Sequence, residues 1–432
     1  MSEREIVIQK EILSNGAIVL SSPSDLSQSV AFVGSMKAGS MFDEKGKYGT
    51  AEIVSRLLNR GTPTDSSNDM SRRVEEMGAT LEFSNYDESV SFSGRCHSRG
   101  LQRLLEIILD CLSRPAFRQD EIDKVRSEVI SDLEAESDET RTVAYRNLMY
   151  LVYGREMPYG RDPFGKIEDV LRITREDIVS FHERNYSPDS LLFSITGDVN
   201  EENLLAHLDR NFGAWEKNRW KSVRKEDYSS SSVSSIEPAA TVNIPMQHKS
   251  QVDVAIGAKT VARNSSDYYP LSLGNLILGR MGLYGRLGKN VREDRGLAYY
   301  CYSALQSKRF SGHLGIFAGV NPKNVEGVLE GISEEIKKMR TEPLTDEEMR
   351  KCRKNLIGSL AISLESSAER ANLIHDLEYY GLGLDYLKRY KSILKEVDSE
   401  SVLAMFGKYL ILDRVRLTVA GPVNAETHFS LR

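Results

Sequence analysis

The sequence predicts an α+β protein of two homologous domains, each a mainly antiparallel sheet with helices packed on one face. A repeated pattern carries this prediction: an apolar, β-branched run ends in a glycine turn at Gly197, and a second one ends in the same way at Gly421. An amphipathic helical pattern lies upstream of each run, beginning at Asp120 and at Glu347. Both offsets are about 225 residues, half of the chain, which indicates a duplicated domain rather than a short solenoid repeat.

Within each half, short strand-like segments precede longer amphipathic helices, an order typical of an α+β domain. The predicted strands are 6–8, 30–36, 80–84 and 89–94 in the first half, and 252–258, 297–304 and 312–318 in the second. A polar, Ser-rich stretch separates the halves. We therefore expect an N-terminal domain over 1–213, a linker over 214–240 and a C-terminal domain over 241–432.

Composition and charge narrow the classes of function. The chain has 432 residues, of which 40% are hydrophobic and 28% charged, the balance of a globular protein. Its formal charge of −6 is too small to indicate a nucleic-acid partner. Four cysteines stand apart without a C-x-x-C pair, which favours neither a disulfide framework nor a zinc knuckle. Because residues 1–16 lack a secretory pattern and no apolar run could span a bilayer, we expect a soluble, cytoplasmic protein.

One helical segment carries most of the chemistry expected of this chain. Residues 49–62 read G-T-A-E-I-V-S-R-L-L-N-R-G-T and resemble the G-T-A-H-x-x-E-H-x-x-x-x-G-T helix of the insulinase, or pitrilysin, family of zinc metallopeptidases. The similarity is to the short-subunit branch of that family, which includes the mitochondrial processing peptidases. Further matches follow in the same order along nearly the whole chain, at 31–40, 157–165, 173–198 and 291–303. The half-chain duplication is also the architecture of that family.

The resemblance implies which residues stand where active relatives bind zinc. In those relatives two histidines one helical turn apart bind the metal, a glutamate beside the second histidine is the general base, and a later glutamate is the third ligand. The corresponding positions here are Glu52 and Arg56 for the histidines, Ser55 for the base and Asp132 for the third ligand. A permanently charged guanidinium repels Zn²⁺, and a serine hydroxyl does not accept a proton at neutral pH. We therefore expect this chain to bind no metal and to have no zinc hydrolase activity alone.

The spacing of Glu52 and Arg56 predicts an ion pair. They lie four residues apart with the acid first, the order that favours such a pair along a helix. The pair would fill the space of the lost metal with a bridge of no net charge. An ordinary solvated helix face is the alternative interpretation. None of the seven histidines stands three or four residues from another, so a displaced helical zinc site is not expected.

The C-terminal half keeps a second family element. Arg292 and Tyr299 match the family's R-x6-Y pair, whose side chains in active relatives bind the substrate backbone and help to stabilise the tetrahedral oxyanion. The resemblance thus implies that Arg292 and Tyr299 are catalytic in trans, with the zinc bound by a homologous partner that carries an intact H-x-x-E-H motif. The alternative is structural: Arg292 would end a helix, and Tyr299 would be an ordinary strand residue.

These residues favour the non-zinc subunit of a heterodimeric insulinase-family peptidase. Such a subunit would bind an unfolded peptide as an added strand along a sheet edge. Nucleic acid and membranes are not expected as partners. An inert scaffold or a peptide-binding protein is the alternative function, as in family members retained in respiratory complexes after losing catalysis. An active enzyme of unrecognised chemistry is a third possibility, which metal analysis of the isolated chain would reveal.

Overall fold

The computed structural model describes residues 6–24, 28–216 and 239–431, so that most of the predicted linker, 214–240, lies outside the described residues. The described chain forms two compact units, each assembled from three stretches of sequence. The first unit comprises 6–133, 162–216 and 360–384, and the second comprises 134–161, 239–359 and 385–431. The sequence boundaries at 213 and 241 concern the duplicated halves, and they stay a prediction.

Among the described residues, a six-stranded sheet forms the centre of the first unit. Its strands are β1 (Gln9–Ile12), β2 (Ile18–Pro23), β3 (Ser29–Met36), β4 (Thr80–Asn85), β5 (Val90–His97) and β6 (Leu192–Gly197). Their order across the sheet is β1-β2-β6-β3-β5-β4. β2 and β6 run parallel, and the other neighbouring pairs run antiparallel.

The first strand begins at Gln9 rather than in the predicted segment 6–8. Its register pairs Gln9 with Ser21, which would place residue 7 opposite Pro23. Proline has no N–H to donate to a neighbouring strand, so residue 23 cannot supply a donor to an extension of this ladder.

The second unit contains a five-stranded sheet within the described residues. Its strands are β7 (Ala240–Pro245), β8 (Val252–Thr260), β9 (Ala298–Ser307), β10 (Gly312–Val320) and β11 (Arg416–Gly421). Their order is β7-β11-β8-β10-β9, with β11 parallel to β7 and the other pairs antiparallel. The two glycine turns that indicated the duplication end β6 and β11, where Gly197 and Gly421 adopt positive φ angles of 117° and 147°.

Helices surround both sheets. Those before residue 212 are α1 (Thr50–Leu57), α2 (Ser67–Glu76), α3 (Leu101–Ser113), α4 (Gln119–Ser137), α5 (Thr140–Tyr153), α6 (Ile167–Val170), α7 (Arg175–Asn185) and α8 (Glu201–Asn211). Those after residue 267 are α9 (Tyr268–Asn275), α10 (Val325–Thr341), α11 (Asp346–Ser363), α12 (Ser367–Tyr379), α13 (Tyr386–Glu396) and α14 (Ser399–Tyr409). Two wider, π-helical segments lie at Leu276–Arg280 and Gly288–Asp294. Among the helices that the structure describes, none has both the length and the apolar character needed to cross a membrane.

Alternate side chains of the first sheet enter different cores. Phe32, Phe92 and Phe193 form a ring cluster on the face covered by helices such as α1, α3 and α4. Leu20 points to the opposite face, where it packs with Ile374 of α12. The first unit therefore takes one covering helix from the second half of the sequence.

The second sheet is covered in the corresponding way. Val254 and Ile256 face a core shared with α10 and α11, whereas Ala255 faces a core formed with Ala144 and Leu148 of α5. The predicted fold class, with mainly antiparallel sheets and helices in two units, is confirmed. Beyond that prediction, each sheet carries one further helix on its other face.

Candidate functional site

Helix α1 carries two of the positions that the resemblance assigns to a metal ion. The residue before it, Gly49, has a φ of 101° and no side chain with which to cap the helix. The buried carboxylate of Asp43 supplies the cap, because it accepts hydrogen bonds from the backbone N–H groups of Gly49 and Ala51, each at 2.8 Å. A negative charge at this end also suits the helix dipole. Asp43 thus fixes the end of α1 that carries Glu52.

Arg56 joins Glu52 and Asp132 into one group. Its Nε lies 2.6 Å from Oε1 of Glu52, which confirms the ion pair predicted from the spacing. Its Nη2 lies 2.8 Å from Oδ2 of Asp132 on α4. The guanidinium also lies over the ring of Phe164, 5.6 Å from the centroid. The structure therefore brings these sequence-predicted positions together, with a side-chain cation between two acids.

The pair does not lie on a solvated helix face. Glu52 is only 5% exposed. Burial raises the pKa of Glu52 by more than the hydrogen bond and the charge of Arg56 lower it. A buried carboxylate needs a compensating charge, and removal of its partner leaves an uncompensated charge in the interior. Arg56 therefore supplies the charge that offsets the energetic cost of burying Glu52.

Ser55, at the position that the resemblance assigns to the general base, is also on α1 and is 1% exposed. Its Oγ donates a hydrogen bond to the backbone carbonyl of Glu52 at 2.9 Å. This bond within the helix satisfies the hydroxyl, and no ionisable group takes the place of a general base at this position.

The residues at these positions do not fit a zinc ion. Protein zinc sites use thiolate, imidazole and carboxylate ligands in a tetrahedral arrangement. Here the nitrogen atoms of Arg56 occupy hydrogen-bonding positions on both Glu52 and Asp132. Over 6–24, 28–216 and 239–431, no group of three or more His, Cys, Asp or Glu side chains is placed to hold a metal ion.

Arg292 and Tyr299 belong to the second unit, and both are exposed. Arg292 lies near the end of the π-helical segment Gly288–Asp294. Tyr299 is the second residue of β9, at one edge of the sheet, and is 60% exposed. Within the described parts of the chain, neither side chain makes a hydrogen bond or an ion pair with another residue. Both donors are thus open to a ligand.

A register shift isolates Tyr299 within its strand. Gly319 of β10 pairs with Tyr300, and the next residue, Val320, pairs with Ala298. Tyr299 consequently has no opposing residue, the arrangement of a β-bulge, which redirects a side chain locally. The sequence gives no signal for this irregularity, because strand propensity and alternation at 297–304 are those of a regular strand.

The sequence interpretation also missed two neighbours of the group formed by Glu52, Arg56 and Asp132. The side-chain amide of Asn85, the last residue of β4, lowers the pKa of Glu52, and Phe164 lies beneath the guanidinium. Both residues are distant from α1 in sequence. Single polar and aromatic residues of this kind carry no pattern that would have identified them.

Two family models match this chain, and both describe domains of the same peptidase family. The model of the insulinase family, peptidase family M16, matches residues 18–158, and the model of the peptidase M16 inactive domain matches residues 172–356. Together the two matches span most of the chain. A relative from Mycobacterium tuberculosis, named as an uncharacterized zinc protease, is 25% identical over 380 residues, covering 87% of this chain and 84% of that protein.

Solved structures show the same fold. A protease from Helicobacter pylori superposes with a TM-score of 0.90 at 20% identity, covering 96% of this chain and 100% of that chain. A peptidase M16 inactive domain from Pseudomonas fluorescens superposes with a TM-score of 0.87 at 22% identity, covering 98% and 100%. With the two family matches, the sequence motif at 49–62 and the duplicated architecture, the chain belongs to the insulinase family, peptidase family M16.

Proposed function

We propose that this chain is the non-zinc subunit of a heterodimeric insulinase-family peptidase. The supporting observation is the Arg56 bridge between Glu52 and Asp132, which occupies positions that correspond to metal ligands in active relatives. In the proposed assembly, a homologous partner with an intact H-x-x-E-H motif binds the zinc and provides the general base. A cytoplasmic location remains the expectation from the sequence.

Arg292 and Tyr299 are the residues proposed to act in trans. A fixed guanidinium and a phenolic O–H both donate hydrogen bonds to the negative charge that develops on a peptide carbonyl oxygen under attack. The exposure of both side chains supports this role. The bulge at Tyr299 supports it further, because a tyrosine with only a packing role has no need of one.

The proposed substrate is an unfolded peptide. β9 is an edge strand of its sheet, so among the described residues one of its sides has no partner strand and is available to pair with an added strand. A peptide bound in this way would run past Tyr299, since that residue lies near the start of the strand. An extended backbone is needed for such pairing, which excludes folded proteins as direct substrates.

The test uses the full chain, co-expressed with a homologous subunit that carries an intact H-x-x-E-H motif, and a fluorescence-quenched library of unstructured peptides. We expect Arg292→Ala and Tyr299→Phe each to lower kcat at least about tenfold, since each removes a donor to the oxyanion. Matched controls are Arg350→Ala and Tyr284→Phe, which alter an exposed arginine and an exposed tyrosine of the same unit. These should retain full activity.

Unchanged cleavage in both Arg292→Ala and Tyr299→Phe would exclude the proposed catalytic role. Full activity in those variants, with the complex intact, would favour the inert scaffold or peptide-binding protein instead. Cleavage by this chain without any partner would contradict the proposal directly.

A further inference from the structure

The bulge at Tyr299 is followed by a tightly held neighbour. Ala298 and Cys301 pack into the core on one face of the sheet, whereas Tyr300 and Tyr302 pack into the core that contains α5. Regular alternation would put Ala298 and Tyr300 on the same face. Tyr299 is therefore the inserted residue, and the direction of its side chain depends on how firmly Tyr300 is seated.

Tyr300 is bound to a buried carboxylate. Its phenolic O–H donates a hydrogen bond to Oδ1 of Asp253 on β8, and Asp253 is only 2% exposed. Thr140, the first residue of α5, donates its hydroxyl to the other carboxylate oxygen, and Gln251 donates to the same oxygen at 3.0 Å. Three donors therefore converge on the side chain of Asp253. Burial and the bond to Asp253 both raise the pKa of Tyr300, so the phenol stays a donor.

The ring of Tyr300 is held as well as its hydroxyl. Arg141 lies over it, with 5.0 Å between the guanidinium carbon and the ring centroid, and donates a hydrogen bond of 2.6 Å to the hydroxyl of Tyr302. On the neighbouring strand, a Cβ atom at Gly319 would lie 2.4 Å from Cε1 of Tyr300. The absence of a side chain at Gly319 makes room for the ring directly opposite it in the register.

We propose that Tyr300, anchored by Asp253 and seated over Gly319, is a positioning residue that fixes the direction of the Tyr299 side chain for the peptide substrate. This inference rests on the proposed function of Tyr299. Tyr300 itself points into the protein and touches no substrate. Its effect is preorganisation. A donor whose orientation is already fixed loses less conformational entropy when it binds a developing charge than a donor that must first be ordered.

The first test requires no partner. We would place 3-fluorotyrosine at position 299 of the full chain and record its ¹⁹F resonance before and after Tyr300→Phe and Gly319→Ala. The first change removes the bond to Asp253, and the second displaces the ring by steric overlap. Both should move the resonance towards its value in a short peptide. Gly407→Ala is the matched control, because a Cβ atom there has no neighbour within 4 Å.

The second test is a double-mutant cycle in the active heterodimer. We expect Tyr300→Phe to lower kcat at least about fivefold in the parent and less than about 1.5-fold when Tyr299→Phe is already present, with KM unchanged in both. A residue that acted only through stability would have the same effect in both backgrounds.

An unchanged ¹⁹F resonance in both Tyr300→Phe and Gly319→Ala would overturn the inference, and so would equal losses of kcat in the two backgrounds. Failure of the proposed function gives a different result, since Tyr299→Phe alone would then leave cleavage intact whatever the resonance does. If Tyr300→Phe does not fold, Gly319→Ala and its control still decide the question.

Discussion

Arg56 determines the chemistry of the group that it forms with Glu52 and Asp132. Glu52 and Asp132 are carboxylates that could bind a metal ion, but both accept hydrogen bonds from the same guanidinium. A cation fixed by the chain neutralises them without a ligand from solution. In the proposed function, this side chain supplies the positive charge that zinc supplies in active relatives.

Replacement of Arg56 by alanine is expected to destabilise the protein. It leaves Glu52 buried without a compensating charge, which should lower the free energy of unfolding by about 3 kcal/mol at neutral pH. Urea unfolding of the parent and the variant measures this difference. Because the pKa of Glu52 is raised, protonation at acid pH should relieve part of the penalty.

The matched control is Arg72→Ala, which removes an arginine from the solvent-exposed pair with Asp69 on α2. Exposed pairs contribute little, so its unfolding curve should coincide with that of the parent. Equal unfolding free energies for the parent and Arg56→Ala would mean that the bridge is not needed for Glu52 to remain buried.

At the level of elements, a buried histidine connects two helices of the first unit. Nε2 of His182 on α7 lies 2.8 Å from the carbonyl oxygen of Leu112, in the last turn of α3, where carbonyl groups lack partners within the helix. The ring also stacks on Tyr186. Burial lowers the pKa of His182 from 6.5 to about 4.

This histidine predicts a loss of stability in acid. Between pH 6.5 and 4 the unfolded chain binds a proton at this position that the folded chain does not. The contribution of His182 to the free energy of unfolding is therefore complete above pH 6.5 and decreases as the pH falls. The slope for one such group is about 1.4 kcal/mol per pH unit. His182→Gln should reduce the slope measured by urea unfolding over that range. An identical pH dependence in the parent and His182→Gln would contradict this assignment.

The elements also show what the sequence could and could not predict. The strands at 80–84 and 89–94 were predicted close to β4 and β5, because alternation and turn residues are local signals. Two helix contacts were not predicted: α12 packs on one face of the first sheet, and α5 packs on one face of the second sheet. Those contacts join segments far apart in sequence, and periodicity shows that a helix has an apolar face without showing what covers it.

At the scale of the whole molecule, the two units bury all four cysteines. Cys96 and Cys111 lie in the first core, and Cys301 and Cys352 lie in the second. Burial raises the pKa of Cys96 to about 11 and those of Cys301 and Cys352 to about 12, and it raises that of Cys111 as well. A thiol reacts as its thiolate, so the four cysteines of the folded protein should react slowly with thiol reagents.

Titration with Ellman's reagent at pH 8 checks this expectation. We expect no fast-reacting thiol in the native protein and four in guanidinium chloride. Rapid modification of one thiol before unfolding would mean that one of the two cores opens locally.

Some features of the candidate site could be predicted from local sequence, and others could not. Glu52, Ser55 and Arg56 follow from one helical motif, and the spacing correctly predicted the ion pair. The bridge to Asp132, the cap from Asp43 and the bulge at Tyr299 depend on tertiary contacts and strand register. Such features are set by packing, so residue identity alone does not determine them.

The zinc content of the isolated full-length chain tests the central claim most directly. The chain would be dialysed against excess Zn²⁺, separated from free metal and analysed by inductively coupled plasma mass spectrometry. Because Arg56 occupies both acids, we expect far less than one equivalent of zinc. One tightly held equivalent that is lost in the Glu52→Ala and Asp132→Ala variants would contradict the account.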